Sequence, residues 1–388
     1  MSPKNYFFFK PKFQFIFKSF NSTSVKIFQF IVGFLIYCLI FSAPLFAEGT
    51  NAGDILIQSL SAKAQGMAEA FASIPANEGG VTALQYNPAS IGFLNQREIS
   101  VTYKGGVFGD NTGIISFGSP LDFLAAKSSL GNFAGTLLYE SAGDVDFVDG
   151  AGTKKTVNAQ KDIGFILSYS RPLLWENLTL GANGKILNSK LVENFSATAF
   201  ALDLGAMLKM GTFAFGGSVQ NMGTALKYNR TNEYIPFAFR IGASNRMKWF
   251  KQPTLFSMDL IKQRDSNIKA NFGLEYIYAD SKFPIAFRSG YKLGEDSGKI
   301  NFGLGFSLAK LKIDYSMQVV AGTENGHFVT LGFLFGGSGD ESSSRIEKNP
   351  PQTQTIQPKA SPRSAIKPAS KSTPIPSKQP PSQKPKNR

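Results

Sequence analysis

Phe328-Val329-Thr330-Leu331-Gly332-Phe333-Leu334-Phe335 alternates from side to side. Val329, Leu331, Phe333 and Phe335 fall on one face, and Phe328, Thr330, Gly332 and Leu334 on the other, the period of two that marks a strand. Upstream, Ile300, Phe302, Leu304 and Phe306 share one face opposite Asn301, Gly303, Gly305 and Ser307. Large apolar residues on one face and small or polar residues on the other suit a wall between lipid and a lumen.

Working back along the chain, the same pattern recurs at 97–107, 110–119, 130–141, 160–170, 176–189, 196–209, 211–220, 235–245, 252–262, 267–279, 283–293, 298–308, 310–320 and 327–335. These fourteen segments are each near the ~9–11 residues that cross a bilayer when tilted. An even count closes an antiparallel barrel. If the first strand rises from the periplasm, the long connections 142–159 and 221–234 are external. The tight turns at 171–175, Gly211, 280–282 and Lys310 are then periplasmic, as barrels require; the long connection 120–129 departs from the rule. Trp175 and Trp249 fall at periplasmic turns, where an aromatic girdle belongs. A soluble β-sandwich or solenoid also alternates, but it exposes charge on its outer face. Segment 298–308 carries one charge, Lys299, and 327–335 carries none. The expectation is an all-β membrane protein, a transmembrane β-barrel of about fourteen antiparallel strands.

Composition narrows the chemistry. Of 388 residues only 18% are charged, and there is one Cys (Cys38) and one His (His327). An intrachain disulfide, a Cys/His zinc site and an iron–sulfur cluster are excluded. The net charge of +14 is concentrated at the ends: residues 1–47 hold +5 and residues 336–388 hold +7. The body is nearly neutral, so a nucleic-acid face is not indicated. No catalytic constellation stands out; neither an enzyme nor a cofactor is expected.

Residues 27–41, IFQFIVGFLIYCLIF, follow a basic stretch ending at Lys26 and precede Pro44 and Ala47. This is the layout of a secretory signal peptide, residues 1–47, cleaved after Ala47; an uncleaved membrane anchor is the alternative. Tyr37 before Cys38 argues against lipidation. Residues 48–96 do not read as wall. Ala64, Met67, Ala68 and Phe71 have the spacing of one helix face, residues 81–86 suggest a second short helix, and Asn87 before Pro88 ends it. A small helical hatch ahead of a barrel (residues 97–335) has the lumen to go to.

These stretches carry a family resemblance. Gly49-Thr50-Asn51-Ala52-Gly53, Ala62-Lys63-Ala64-Gln65-Gly66-Met67-Ala68-Glu69-Ala70-Phe71, Tyr86-Asn87-Pro88-Ala89-Ser90-Ile91 and Ser218-Val219-Gln220-Asn221-Met222-Gly223 come in the order found in one group. The chain resembles the PorV/PorQ branch of the FadL-like outer-membrane proteins. Glu69 and Ser90 stand where the family has glycine. The resemblance implies a fourteen-stranded barrel plugged by a hatch that includes Met67, Phe71, Tyr86, Asn87, Pro88 and Ala89. It also implies passive uptake of hydrophobic compounds such as long-chain fatty acids, with hatch movement and lateral release. The alternative is a PorV-like secretion-partner or surface-interaction barrel without transport. An apolar ligand needs an apolar route, which the Phe-rich walls are expected to supply.

Gly105-Gly106 and Gly216-Gly217 are candidate wall bulges or sites of close packing. Asn87 either ties the hatch to the wall or shapes the turn before Pro88. The terminal Phe333 and Phe335 look like an insertion signal for the barrel-assembly machinery. The acidic run 144–150 lacks the spacing of an EF-hand and reads as a surface loop. His327 reads as an interfacial residue. From Gly336 the chain holds ten of its twenty prolines and no aromatic residue, so 336–388 is expected to be a disordered periplasmic tail. Its charge suits cell-wall polymer or a periplasmic protein, or no single partner. The expected location is the outer membrane of a diderm bacterium, with lipid around the wall.

Overall fold

Fourteen strands close on themselves in the computed structural model, which describes residues 52–336 except 106–109, 122–129, 149, 151, 174, 193–194, 230, 265, 280–282, 296, 321 and 323–324. The signal segment 1–47, Gly106 and the tail after Gly336 therefore lie outside the described residues. Two short helices, α1 (Ala62–Gly66) and α2 (Ala76–Gly79), precede the strands. These are β1 (Arg97–Gly105), β2 (Asn111–Pro120), β3 (Asn132–Ser141), β4 (Asp144–Val148), β5 (Lys154–Asn158), β6 (Gln160–Leu173), β7 (Trp175–Leu191), β8 (Phe195–Met210) and β9 (Phe213–Gly223). There follow β10 (Leu226–Tyr228), β11 (Thr231–Glu233), β12 (Ala238–Trp249), β13 (Gln252–Gln263), β14 (Ile268–Tyr278), β15 (Ile285–Leu293), β16 (Ile300–Leu308), β17 (Leu311–Val319) and β18 (Gly326–Phe335). Antiparallel pairing runs round the barrel, and β18 closes it against β1, Val101 opposite Leu331.

All fourteen alternating segments form the wall. The two long connections carry structure of their own: β4 pairs with β5 and β10 with β11, as hairpins on the same rim. The acidic run at 144–150 is thus partly strand, its Asp146 accepting from Thr156 Oγ1 at 2.7 Å and Asp144 from Asn158 Nδ2 at 2.9 Å. At the opposite rim, Trp249 ends β12 and stacks on Phe250 at 5.4 Å.

The direction of the aromatic side chains corrects one expectation. Phe165, Phe200, Phe239, Phe272, Phe287, Phe302, Phe306 and Phe333 are exposed on the outside. They meet lipid and do not line a route through the lumen. The opposite face of the wall strands turns inward, and there Ser100, Thr102, Ser116, Thr136, Ser168 and Ser316 are all buried.

The hatch fills the lumen, and its helix is shorter than the apolar spacing predicts. α1 stops at Gly66, and Ala68 and Glu69 turn left-handed, with φ of 50° and 59°. The reason is contact with the wall. A Cβ on Gly290 would lie 2.5 Å from Ala68 N, and one on Gly273 would lie 2.8 Å from Met67 O. The hatch backbone lies directly on wall glycines, so a continuous helix with side chains all round would not fit there.

Of the two readings of the glycine pairs, the bulge does not hold at the described positions. Gly105 pairs in register with His327 and Asn111, and Gly216 and Gly217 pair in register with Gly242 and Ile241. The register shift between β8 and β9 falls between Leu202 and Leu204, beside Asn221, whose φ is 56°. Gly216 is a packing site: a Cβ there would overlap the Ala72 carbonyl of the hatch. Gly217 points outward, with its nearest neighbours at 3.7 Å or more.

Candidate functional site: a vestibule above an anchored hatch

The lumen is divided by chemistry. In one sector, inward-facing Ile114, Ala134, Leu138, Ile166, Leu187, Ala197 and Ala199 pack on hatch residues Ile55, Leu56, Leu60, Val81, Leu84 and Ile91. The opposite sector is charged. Lys63 of α1 meets Glu275 Oε2 at 2.9 Å, Arg288 Nε meets the same oxygen at 2.7 Å, and Arg288 Nη1 reaches Asp314 at 2.7 Å. Lys292 pairs with Glu69 at 3.1 Å. Charges taken out of water need such partners on both sides.

The hatch residues singled out by sequence lie within this arrangement. Met67, Phe71 and Tyr86 share a buried cluster with Leu255 of the wall. The Phe71 and Tyr86 rings sit 5.3 Å apart, and the Arg240 guanidinium lies 5.1 Å over Tyr86. Tyr86 donates to Ser59 Oγ at 2.9 Å, and burial pushes its phenol well above the ordinary value, so it stays a donor. Asn87 is fully buried; its Nδ2 donates to Ala72 O at 2.8 Å and to Ala206 O of β8 at 2.9 Å. Its Oδ1 accepts from Ala89 N at 3.0 Å, capping the turn that starts with Pro88. Asn87 therefore ties the hatch to the wall and shapes the turn at once. Ala89 O receives Thr179 Oγ1 at 2.9 Å, and Pro88 lies on Gly205.

The receiving groups on the wall were not singled out individually by sequence reasoning. Asp259 Oδ2 accepts from Phe71 N at 2.9 Å, Ala72 N at 2.8 Å and Arg240 at 3.1 Å. Ser218 Oγ and Gln220 Nε2 both donate to Tyr86 O, at 2.8 and 2.9 Å. Asn221 takes Lys185 Nζ at 2.8 Å and donates from its backbone to Asp203 at 2.7 Å. The 218–223 stretch is thus the socket for the Tyr86-Asn87 turn. A signal existed: polar residues at 218 and 220 share one face of a strand otherwise rich in Phe and Gly.

A vestibule of 660 Å³ opens at the rim that carries the hairpins. Asp54 and Gln58 of the hatch, Lys104, Asp110, Glu140, Gln160, Leu191, Tyr228 and Glu233 line it. Lys104 Nζ lies 3.1 Å from Gln58 Oε1 and 3.6 Å from Asp110, and Gln58 Nε2 donates to Glu140. Apolar residues border it as well: Tyr228 belongs to the apolar cluster, and Ala52 and Leu191 pack against that cluster. A second concavity, 570 Å³, lies among outward-facing residues such as Phe215, Phe272 and Phe302 and faces lipid. His327 is also on the outside, its Nδ1 2.8 Å from Tyr315 OH.

A closed fourteen-strand wall, an N-terminal hatch and a mouth above an apolar sector together specify an architecture. The fold is that of the toluene transporters TodX and TbuX. TodX of P. putida matches with a TM-score of 0.50 and 11% identity, over 72% of this chain and 99% of its own. TbuX of Ralstonia pickettii gives the same values. A FadL homologue of Pseudomonas aeruginosa is matched at a TM-score of 0.45 and 13% identity, over 75% of this chain and 99% of that one. No family model and no curated protein matches the sequence. What this chain shares with TodX is a backbone plan, carried by a different set of side chains.

Proposed function

We propose that the chain is an outer-membrane channel for passive uptake of hydrophobic compounds, of the FadL-like type. The observation that carries this is the inward apolar sector. Ile114, Leu138, Ile166 and Leu187 face the lumen, where a water-filled pore would place polar residues. With hatch residues Leu56 and Leu60 they form an apolar layer that adjoins the vestibule through Tyr228 and Leu191. An apolar solute leaving water gains about 25 cal/mol per Å² of buried surface along such a layer. TodX is described as a toluene transporter and shares the fold, which agrees with this reading.

In this reading the hairpin rim is external, the signal peptide directs export, and the tail hangs in the periplasm, free to meet cell-wall polymer or a periplasmic protein. The barrel-assembly machinery would take hold of the β18 end at Phe333 and Phe335. The hatch seals the lumen, so passage requires that its 52–60 segment shift, with exit through the wall or below. The PorV/PorQ branch and long-chain fatty acids are the finer assignments that the motifs imply; the carboxylates of the vestibule speak against the latter.

Expression in a diderm host lacking its own hydrophobic-compound channel tests the proposal. Uptake of an apolar compound should be restored in proportion to folded, heat-modifiable barrel in the outer membrane. Folded barrel without uptake would support the second reading, a partner-binding barrel. The exposed Val145 and Val148 of the β4–β5 hairpin are the observation that favours it.

A further inference from the structure

Charge on the wall is sorted by sign. The acids of the wall strands whose side chains are described, among them Glu98, Asp162, Asp203, Asp259 and Glu275, turn inward. At the hairpin rim the outward charges of these strands are cations: Lys161 of β6, Lys190 of β7 and Lys262 of β13. Lys262 Nζ donates to Ser266 O. Lys161 and Lys190 are set directly opposite each other, and like charges so placed on neighbouring strands repel. Both are exposed, and neither forms an ion pair among the described residues. Asp144, on the β4–β5 hairpin that continues β3 and β6, is engaged by Asn158 Nδ2 at 2.9 Å. Glu193, three positions beyond Lys190, lies outside the described residues.

Strand register extends the pair into a row of four: Ser141, Lys161, Lys190 and Ser196. Ser141 Oγ accepts from Asn158 Nδ2 at 2.9 Å, which leaves its O–H to donate, and Ser196 is exposed. Two ammonium groups between two hydroxyls are a donor set for phosphate oxygens. The next outward row, about 7 Å along the strands, is Tyr139, Ile163, Asn188 and Thr198. It is mixed in character, and Asn188 Nδ2 donates to Thr198 Oγ1 at 3.0 Å. The row after that is Leu137, Phe165, Ile186 and Phe200, all apolar and exposed. From the rim inward these four strands read cationic, then amphipathic, then apolar, which is the order of headgroup, linkage and chains in a lipid.

We propose that the outer face of β3, β6, β7 and β8 is a binding site for a phosphate-bearing lipid of the leaflet at the hairpin rim. The phosphate sits between Lys161 and Lys190, relieving their repulsion, with Ser141 and Ser196 donating at its sides. The chains lie along Ile163, Phe165, Ile186 and Phe200. The site is on the outside of the wall, so it serves a channel and a partner-binding barrel alike and does not rest on the uptake reading.

Native mass spectrometry of the full chain, folded in detergent, tests this with phosphatidic acid and diacylglycerol of the same chains. Wild type should hold phosphatidic acid about tenfold more strongly than diacylglycerol, and Lys161→Gln with Lys190→Gln should lose most of that preference. Two controls should leave it unchanged: Lys262→Gln on the same rim, and Lys359→Gln with Lys367→Gln in the basic tail. Lys190→Glu sets opposite charges across the pair, so it should fold at least as well as wild type and still lose the lipid. That variant keeps the test decisive should the double variant fail to fold. A preference that survives both Lys190→Glu and the double variant, or that the tail variant lowers as much, overturns the proposal. So does displacement of the lipid by about 10 mM inorganic phosphate, which would mark a plain anion site.

Discussion

Gly216 of the wall and Ala72 of the hatch meet backbone to backbone, with no room for a methyl group between them. Replacing Gly216 with Val should therefore leave a closed barrel whose hatch cannot seat. Limited proteolysis of the folded protein should cut within 62–90 in Gly216→Val and spare wild type. Gly217→Ala is the control. It points outward into ordinary contact, and its proteolysis pattern should not change. Equal resistance of both variants would show that the hatch is not held at Gly216.

The ion pairs of the charged sector should rank by how much charge each change leaves stranded. Arg288→Ala leaves both Glu275 and Asp314 short of a partner and should cost about 3–5 kcal/mol. Lys63→Ala leaves Glu275 still paired with Arg288 and should cost less, about 1–3 kcal/mol. Urea unfolding in lipid vesicles measures both, and the reverse order would refute this account.

Asn87 donates to two carbonyls and accepts from one N–H. Asn87→Ala loses all three and should cost about 2–3 kcal/mol. Asn87→Asp keeps the acceptor but sets a buried carboxylate against two carbonyl oxygens, and should cost more at neutral pH. Its carboxyl would have a raised value in the folded state, so the loss should be largest at high pH and recover on acidification, when the protonated group donates again. Stability of this variant measured from pH 4 to pH 8, roughly the span around a raised carboxyl, checks the sign.

Two neighbouring residues on β18 should respond differently. Leu331 faces lipid, so Leu331→Arg should cost about 2–4 kcal/mol and slow insertion into vesicles. Thr330 faces inward, where Oγ1 accepts from Ala62 N at 2.8 Å and lies 2.8 Å from Thr102 Oγ1. Thr330→Val should insert normally and loosen the hatch, read as faster hydrogen exchange at Ala62.

The wall was legible because alternation is a local property. A strand between lipid and lumen must turn apolar residues one way and small or polar residues the other, and 298–308 and 327–335 do so without reference to any other part of the chain. The Tyr86-Asn87-Pro88 turn was legible for a similar reason, since proline and its neighbour restrict the backbone locally. The hatch helix was less so. Ala64, Met67, Ala68 and Phe71 have helical spacing, but the left-handed turn at Ala68 and Glu69 follows from Gly273 and Gly290 some two hundred residues away. Composition left Gly216-Gly217 open between bulge and close packing; register decides it, since the pair is in register and the extra residue sits beside Asn221, where Asp203 and Lys185 provide partners.

The sequence by itself determined a fourteen-stranded barrel with an apolar outer face and a polypeptide left over to fill it, because side-chain period and segment length are set by the bilayer. Only the tertiary structure decided how the lumen is divided. Closing the sheet brings Ile114, Ile166 and Leu187 to one side and Glu275, Arg288 and Asp314 to the other, and it sets Glu140 against Asp162 at the mouth. Those neighbours are distant in the chain and meet only through strand register, which no local pattern encodes.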